Sequence, residues 1–153
     1  MPTQSTFPSD LTVRPATQTD ESAVYDFLCT LEETILDPRA FTAIFHHNTV
    51  SPLVHYLVAE RQGEVIGFIS CHVQYLLHHT GKVGEIQELF VRPEFRNQRV
   101  GQQLVAALTA LAIEENFVNL EVTTNQKRVD TIRFYEREAF IRTHVKLVKP
   151  IQS

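Results

Sequence analysis

The stretch from Glu85 to Leu104 constrains the fold of this chain more than any other part of its sequence. An apolar run with high strand propensity, Leu89-Phe90-Val91, stops at Pro93. A basic turn follows, Arg96-Asn97-Gln98-Arg99-Val100-Gly101, and leads into a strongly helical segment. A strand that feeds a helix through a tight turn presents unpaired backbone N–H groups and the positive end of the helix dipole. The sequence therefore predicts an anion site here, most often one for phosphate.

Composition sets broad limits on the class of protein. With 153 residues, 43% of them apolar and 21% charged, the chain suits one globular domain that buries about two-thirds of its unfolded surface. A net charge of −4 argues against nucleic acid and anionic membranes as partners. No signal-peptide pattern or spanning apolar run is evident, so the cytoplasm is the expected location. We expect residues 1–10 to be a disordered tail and residues 11–153 a single domain.

Hydrophobic periodicity and turn residues predict ten elements in the order β-α-α-β-β-β-α-β-α-β. The predicted strands are Leu11–Arg14, His55–Glu60, Glu64–Gln74, Val83–Val91, Leu120–Thr123 and a closing strand, Ile141–Val148. The predicted helices begin at Thr19 or Asp20, after Asp37-Pro38, at Val100 (to Glu115) and at Asp130 (to Glu138). The residues Arg61-Gln62-Gly63 predict a hairpin turn. The fold class is therefore α/β (α+β): a mixed, mostly antiparallel twisted sheet with helices on both faces.

Two motifs resemble those of the GNAT superfamily of N-acetyltransferases. The turn is similar to the family signature Arg/Gln-x-x-Gly-x-Gly/Ala: Arg96 and Gly101 match, and Arg99 stands where the first glycine is usual. The segment Arg128–Phe140 resembles the late helix of the family, with matches at Phe134, Tyr135 and Phe140. This resemblance implies the GNAT fold and acetyl-CoA as the cosubstrate.

A narrower resemblance covers the chain from about Leu11 to Leu147. The runs Thr12–Gln18, His72–His79, Gly84–Leu89 and Thr124–Arg128 are similar to those of the bacterial aminoalkylphosphonate-acetylating branch of the family. An arginine six residues before the Phe-Tyr pair, here Arg128, also agrees with that branch. The resemblance implies a small primary amine, most often an aminoalkylphosphonate, as the acceptor. Another amine (an aminoglycoside, polyamine or protein amine) and a non-catalytic acyl-CoA-binding module remain alternatives.

The resemblance also implies which residues bind the ligands. The expected CoA contacts are the strand Leu89, Phe90 and Val91, the turn Arg96, Asn97, Gln98, Arg99, Val100, Gly101 and Gln102, and Asn125. For the acceptor amine we expect contacts from Tyr75, Gln87 and Arg128, although solvated helix charge is an alternative for Arg128. An apolar last strand also makes a homodimer possible.

Acetyl transfer requires a neutral amine, and an alkylammonium with a pKa near 10.4 is neutral in roughly one molecule in 2,500 at pH 7. Glu85, on the strand before the turn, is our candidate base, acting directly or through water. The alternative is a solvated strand carboxylate. A period of two predicts that Glu85 and Glu88 face opposite ways, with Gln87 and Leu89 on the side of Glu85. A two-carboxylate centre is thus not expected.

Tyr135 is the candidate acid for the departing CoA thiolate, because a phenol and a thiol have pKa values close enough for proton exchange. An aromatic side chain packed under a helix is the alternative. The histidine pairs His46-His47 and His78-His79, with His72, raise the possibility of a divalent metal, which the resemblance also implies. Neighbouring side chains on an extended chain diverge, however, so neither pair chelates alone, and loop histidines are the favoured interpretation.

Overall fold

The computed structural model describes residues 10–152, and these form a five-stranded sheet with two helices on each face. The strands are β1 (Leu11–Pro15), β2 (Val54–Arg61), β3 (Glu64–Leu76), β4 (Gly81–Val91) and β5 (Asn119–Val122). The helices are α1 (Glu21–Glu32), α2 (Pro38–Thr49), α3 (Val100–Glu114) and α4 (Val129–Arg137). The expected disordered tail, apart from Asp10, lies outside the described residues. None of the helices in the described range is long and apolar enough to cross a bilayer.

The sheet follows chain order, β1-β2-β3-β4-β5, and confirms the predicted mixed topology. Strands β1 to β4 pair antiparallel, whereas β5 pairs parallel with β4 after the crossover through α3. The predicted hairpin between β2 and β3 is also confirmed. Its residues Gln62 and Gly63 both have left-handed backbones, with φ of 51° and 78°, which suits the two-residue loops that match strand twist.

Alternating strand residues divide the core into two layers. Helices α3 and α4 cover one face, with Ile69, Ile86 and Leu104 at its centre. Helices α1 and α2 cover the other face, where Phe68 and Phe90 are buried. Strands β2, β3 and β4 therefore contribute side chains to both layers, as their period of two requires.

Helix α3 lies unusually close to the sheet at Gly67. A Cβ atom there would approach Leu104 Cδ1 to 3.1 Å and the carbonyl oxygen of Phe90 to 3.2 Å. Both are tighter than most contacts of real side chains, so glycine permits the close packing. The N-terminal end of α3 is thereby held against the carboxyl end of β4, and the basic turn is fixed between them.

The predicted closing strand Ile141–Val148 is wrong. Residues 140–152 form no strand within the described chain, and β5 remains the last strand of the sheet. The apolar side chains of this segment, including Ile141, Val145 and Leu147, are exposed. High strand propensity favours an extended backbone, but a segment becomes a strand only where a sheet edge pairs with it.

Candidate active site

A β-bulge in β4 places Glu85 and Glu88 on the same face of the sheet, which corrects the predicted alternation. Glu85 lies opposite His72 and Glu88 lies opposite Ser70, so Gln87 is the extra residue of the bulge. Because His72 and Ser70 share one face of β3, their two partners share that face as well. Leu89, predicted beside Glu85, instead packs in the α3 layer. Both carboxylates thus lie on the α1–α2 side.

Strands β4 and β5 separate beyond the pair Ile86 and Val122, which is the last of their register. The part of β4 from 87 to 91 pairs only with β3. The N–H of Arg92 bonds to the carbonyl oxygen of Ile66 at 2.9 Å, so the backbone N–H and C=O groups of Arg92 point toward β3. Because these directions alternate along an antiparallel strand, the backbone groups of Leu89 and Val91 point away from β3. The backbone groups of these two residues therefore line the opening between the strands.

The basic turn offers several backbone donors beside this opening. Within residues 10–152, the N–H groups of Asn97, Gln98, Val100, Gly101 and Gln102 have no acceptor, and the first helical bond runs from Gln103 N to Arg99 O at 3.0 Å. Asn97 and Arg99 have left-handed backbones, with φ of 62° and 64°. Alternating conformations of this kind turn successive N–H groups toward one point and form an anion cradle. The helix dipole of α3 adds to its positive potential.

Side chains of the turn bond to the protein around it. Arg96 Nε donates to the carbonyl oxygen of Val91 at 3.1 Å, and its guanidinium lies 5.7 Å from the centre of the Phe90 ring. Gln98 donates to the carbonyl oxygen of Glu94 at 3.2 Å and accepts from Arg61 at 3.0 Å. These contacts hold the shape of the turn and leave its backbone N–H groups as the donors that face outward.

The carboxylate of Glu85 lies near the point where the two strands part. Its Oε1 atom accepts from Gln87 Nε2 at 3.2 Å and from Thr123 Oγ1 at 3.5 Å. Thr123 directly follows β5, so the Glu85 side chain extends across the beginning of the opening. Gln87, expected to contact the acceptor, is exposed and donates to the Glu85 carboxylate, and its contact with the acceptor stays a prediction.

Glu88 belongs to a polar cluster that the sequence did not predict. The Ser70 hydroxyl donates to Glu88 Oε1 and accepts from the Glu88 backbone N–H at 3.0 Å. The hydroxyl of Tyr56 accepts from Asn48 Nδ2 at 2.7 Å. Burial, and secondarily the nearby negative charge of Glu88, raise the pKa of Tyr56. No sequence pattern identified the cluster, because only the bulge at Gln87 brings Glu88 to this face.

Tyr135 is buried in the α3 layer, on the face opposite the two carboxylates. Its ring makes edge contacts with Phe134 and Phe140, at centroid distances of 5.1 and 5.2 Å. Burial raises the pKa of the Tyr135 phenol well above its usual value. The side chain is therefore a packed aromatic that stays protonated at neutral pH, and its raised pKa makes it a weaker acid toward a thiolate than the sequence alone predicts.

Three other predicted contact residues lie at different places. Tyr75 is exposed, and its partner across the β3–β4 pair is Lys82. The ammonium of Lys82 lies 5.6 Å from the ring of Phe117, which packs in the α3 layer. Because paired residues share a face, Tyr75 lies on the face of the sheet opposite to Glu85. Asn125 accepts from the N–H groups of Lys127 and Arg128, both at 2.9 Å. Arg128 precedes α4 and is exposed. Their roles in binding stay predictions.

The side chains do not fit a resident metal. Within the described part of the chain, no three His, Cys, Asp or Glu side chains meet as a ligand set. His46 pairs with Glu21 at 2.7 Å and His55 with Glu115 at 3.0 Å, while the rings of His78 and His79 lie 4.3 Å apart beside an exposed turn. We therefore assign no chemical step to a metal.

An opening between two strands that ends at a turn with free backbone N–H groups suits a long ligand that carries a phosphate group. Comparison with known proteins gives the family. The model of the acetyltransferase (GNAT) family matches residues 21–140. Aminoalkylphosphonate N-acetyltransferase of Salmonella typhimurium is 42% identical over 139 residues, which cover 91% of this chain and 90% of that protein. Glucosamine 6-phosphate N-acetyltransferase of Candida albicans is 26% identical, over 71% and 72% of the two chains.

Solved structures agree on the fold. A transcriptional regulator from Bacillus halodurans superposes with a TM-score of 0.85 at 23% identity, covering 92% of this chain and 99% of its own. AAC(6')-Iy in complex with a bisubstrate analogue superposes with a TM-score of 0.84 at 17% identity, covering 95% and 100%. The chain thus belongs to the acetyltransferase (GNAT) family and is an N-acetyltransferase.

Proposed function

We propose that this enzyme transfers the acetyl group of acetyl-CoA to the primary amine of an aminoalkylphosphonate. The observation that carries the choice of acceptor is the 42% identity, along nearly the whole chain, with a relative of that name. We infer acetyl-CoA as the cosubstrate from the family and from the geometry of the turn and of the β4 edge. The cradle at residues 97–102 suits the CoA pyrophosphate, and the edge of β4 from Leu89 to Val91 suits the amide-bearing pantetheine arm.

The reaction is a direct attack of the amine nitrogen on the thioester carbonyl carbon. Glu85 takes a proton from the ammonium group, directly or through a water molecule. The N–H of Leu89 or Val91 stabilises the developing oxyanion, a contact typically worth about 3 kcal/mol at the transition state. The carbon–sulfur bond then breaks, and Tyr135 protonates the leaving thiolate. The attacking nitrogen loses its second proton to give the amide, and that proton restores the Tyr135 phenol through water. Because Glu85 and Tyr135 lie on opposite faces of the sheet, they approach a thioester in the opening from its two sides.

The acceptor has two charged groups, an ammonium and a phosphonate, and we propose a contact for each. Glu88 joins Glu85 on the α1–α2 side, where two carboxylates attract an ammonium group. Arg128, at the start of α4, is the proposed contact for the phosphonate dianion. Tyr75 and Gln87 complete the proposed acceptor contacts.

Release of free CoA from acetyl-CoA with a panel of amines tests the proposal. The panel pairs 2-aminoethylphosphonate with an alkylamine of equal length, and adds an aminoglycoside and a polyamine, each with and without a divalent cation. We expect the phosphonate to give the highest kcat/KM. An equal kcat/KM for the plain alkylamine contradicts the proposed acceptor. Binding of acetyl-CoA without turnover of any amine indicates a non-catalytic module instead.

A further inference from the structure

Arg61 links the end of strand β2 to the basic turn, although Arg61 and Gln98 are 37 residues apart in the chain. Its Nη1 atom donates to Gln98 Oε1 at 3.0 Å. Its guanidinium also lies 5.5 Å from the centre of the Phe95 ring, in the single helical turn that leads from β4 to the basic turn. One side chain from another strand therefore contacts this stretch of chain at two points.

The surroundings of Arg61 are unusual for a cation. Only 14% of its side chain is exposed, and in the part of the chain that the structure describes its Nε atom is buried without a hydrogen-bond acceptor. The carboxylate of Asp10 lies 3.7 Å from that atom, which is beyond hydrogen-bond distance. Removal of a cation from water is costly unless its donors are satisfied. The position of Arg61 therefore indicates a role beyond packing.

Gln98 lies between the two residues of the turn that have left-handed backbones. Asn97 and Arg99 have φ of 62° and 64°, a conformation that residues other than glycine keep only where neighbouring contacts hold them in it. The carboxamide of Gln98 bonds to Glu94 on one side and to Arg61 on the other. The first bond stays within the same stretch of chain, whereas the second fixes the turn to the sheet.

Arg92 provides a comparison within the same structure. Its guanidinium lies over the same Phe95 ring, 5.8 Å from the centre, but its side-chain hydrogen bonds go to two glutamates. Arg61 and Arg92 thus share the aromatic contact, and of these two arginines Arg61 is the one that bonds to Gln98. An effect that Arg61 has and Arg92 lacks is therefore expected to act through Gln98.

We propose that Arg61 is a positioning residue for acetyl-CoA. By holding Gln98, it keeps the N–H groups of residues 97–102 turned toward the pyrophosphate, and so it sets the affinity for the cosubstrate without touching the reacting atoms. This inference rests on the proposed function of the turn as the pyrophosphate site. The end of β2 then helps to determine how tightly CoA binds, although none of its residues belongs to the turn.

Calorimetric binding of CoA to the unmodified protein and to three variants, Arg61→Met, Arg61→Lys and Arg92→Met, tests the proposal. We expect Arg61→Met to raise the Kd of CoA roughly tenfold, because methionine keeps much of the packing but cannot donate to Gln98. Arg61→Lys retains a donor and should restore most of the affinity. Arg92→Met is the matched control and should leave the Kd within about twofold. An unchanged Kd for Arg61→Met, or equal effects of Arg61→Met and Arg92→Met, overturns the proposal.

S-acetylpantetheine separates the turn from the rest of the site, because it has the thioester and the arm of acetyl-CoA but no pyrophosphate. With any amine that the enzyme turns over, Arg61→Met should raise the KM of acetyl-CoA roughly tenfold at unchanged kcat, and leave kcat/KM of S-acetylpantetheine unchanged. An equal loss with both thioesters reveals general damage to the fold and overturns the proposal. Equal kcat/KM of the two thioesters with the unmodified enzyme overturns the assignment of the turn to pyrophosphate, and the role of Arg61 with it.

Discussion

Glu85 and Glu88 project from the same face of β4, although an unbroken strand would place them on opposite faces. The bulge at Gln87 makes the difference, since it leaves Glu85 opposite His72 and Glu88 opposite Ser70. One extra residue therefore gathers two carboxylates on the side where α1 and α2 pack. A proposed base and a second negative charge can then act on the same ammonium group.

Replacement of the proposed base should give a rate loss that depends on pH. We expect Glu85→Gln to reduce kcat/KM for the amine strongly at neutral pH and less at alkaline pH, where more of the amine is already neutral. A steady-state pH profile of both proteins provides the measurement. A loss of the same size at every pH contradicts the role of a base and indicates a role in binding.

Replacement of the second carboxylate should weaken acceptor binding without affecting CoA. We expect Glu88→Gln to raise KM for the amine by about tenfold, because the amide carries no charge to attract an ammonium group. The Kd of acetyl-CoA, measured by calorimetry, should not change. Ser70→Ala is the matched variant: it removes the hydroxyl that bonds Glu88 but keeps the carboxylate, so its effect should be smaller. An equal or larger effect of Ser70→Ala contradicts the charge argument.

The buried phenol should matter for turnover and not for cosubstrate binding. Tyr135→Phe keeps the ring that packs against Phe134 and Phe140, so the fold is retained. We expect kcat to fall by roughly a hundredfold or more while the Kd of acetyl-CoA stays the same. Because burial raises the pKa of this phenol, the unmodified enzyme should show no loss of a Tyr135 proton through mildly alkaline pH. Unchanged turnover of the variant removes Tyr135 from its proposed role.

The left-handed backbone at Arg99 should determine which residues can replace Arg99 without weakening the binding of CoA. Glycine adopts φ of 64° without strain, whereas a β-branched residue at that angle is disfavoured by about 1–2 kcal/mol. We expect Arg99→Gly to bind acetyl-CoA nearly as well as the original chain, and Arg99→Val to bind it about tenfold more weakly. Competition binding with CoA measures both. Equal affinities for the two variants contradict the dominance of backbone shape in this turn.

Local patterns predicted most of the fold because the signals were themselves local. The Gln62-Gly63 hairpin, the periodic stripe of α3 and the break at Pro93 each depend on neighbouring residues, and each appears in the structure. The bulge at Gln87 depends on the register of β4 against β3, which no single strand contains, so the predicted placement of Glu85 and Glu88 on opposite faces was wrong. The closing strand was predicted from propensity alone, and within the described chain no strand pairs with that segment.

Transfer of a labelled acetyl group tests the central claim most directly. The purified enzyme is incubated with ¹³C-acetyl-CoA and an equimolar mixture of 2-aminoethylphosphonate and the alkylamine of equal length, and the products are identified by mass spectrometry. The account predicts that the label appears as an amide chiefly on the phosphonate, in step with release of free CoA. Label found equally on both amines, or only as acetate, contradicts it.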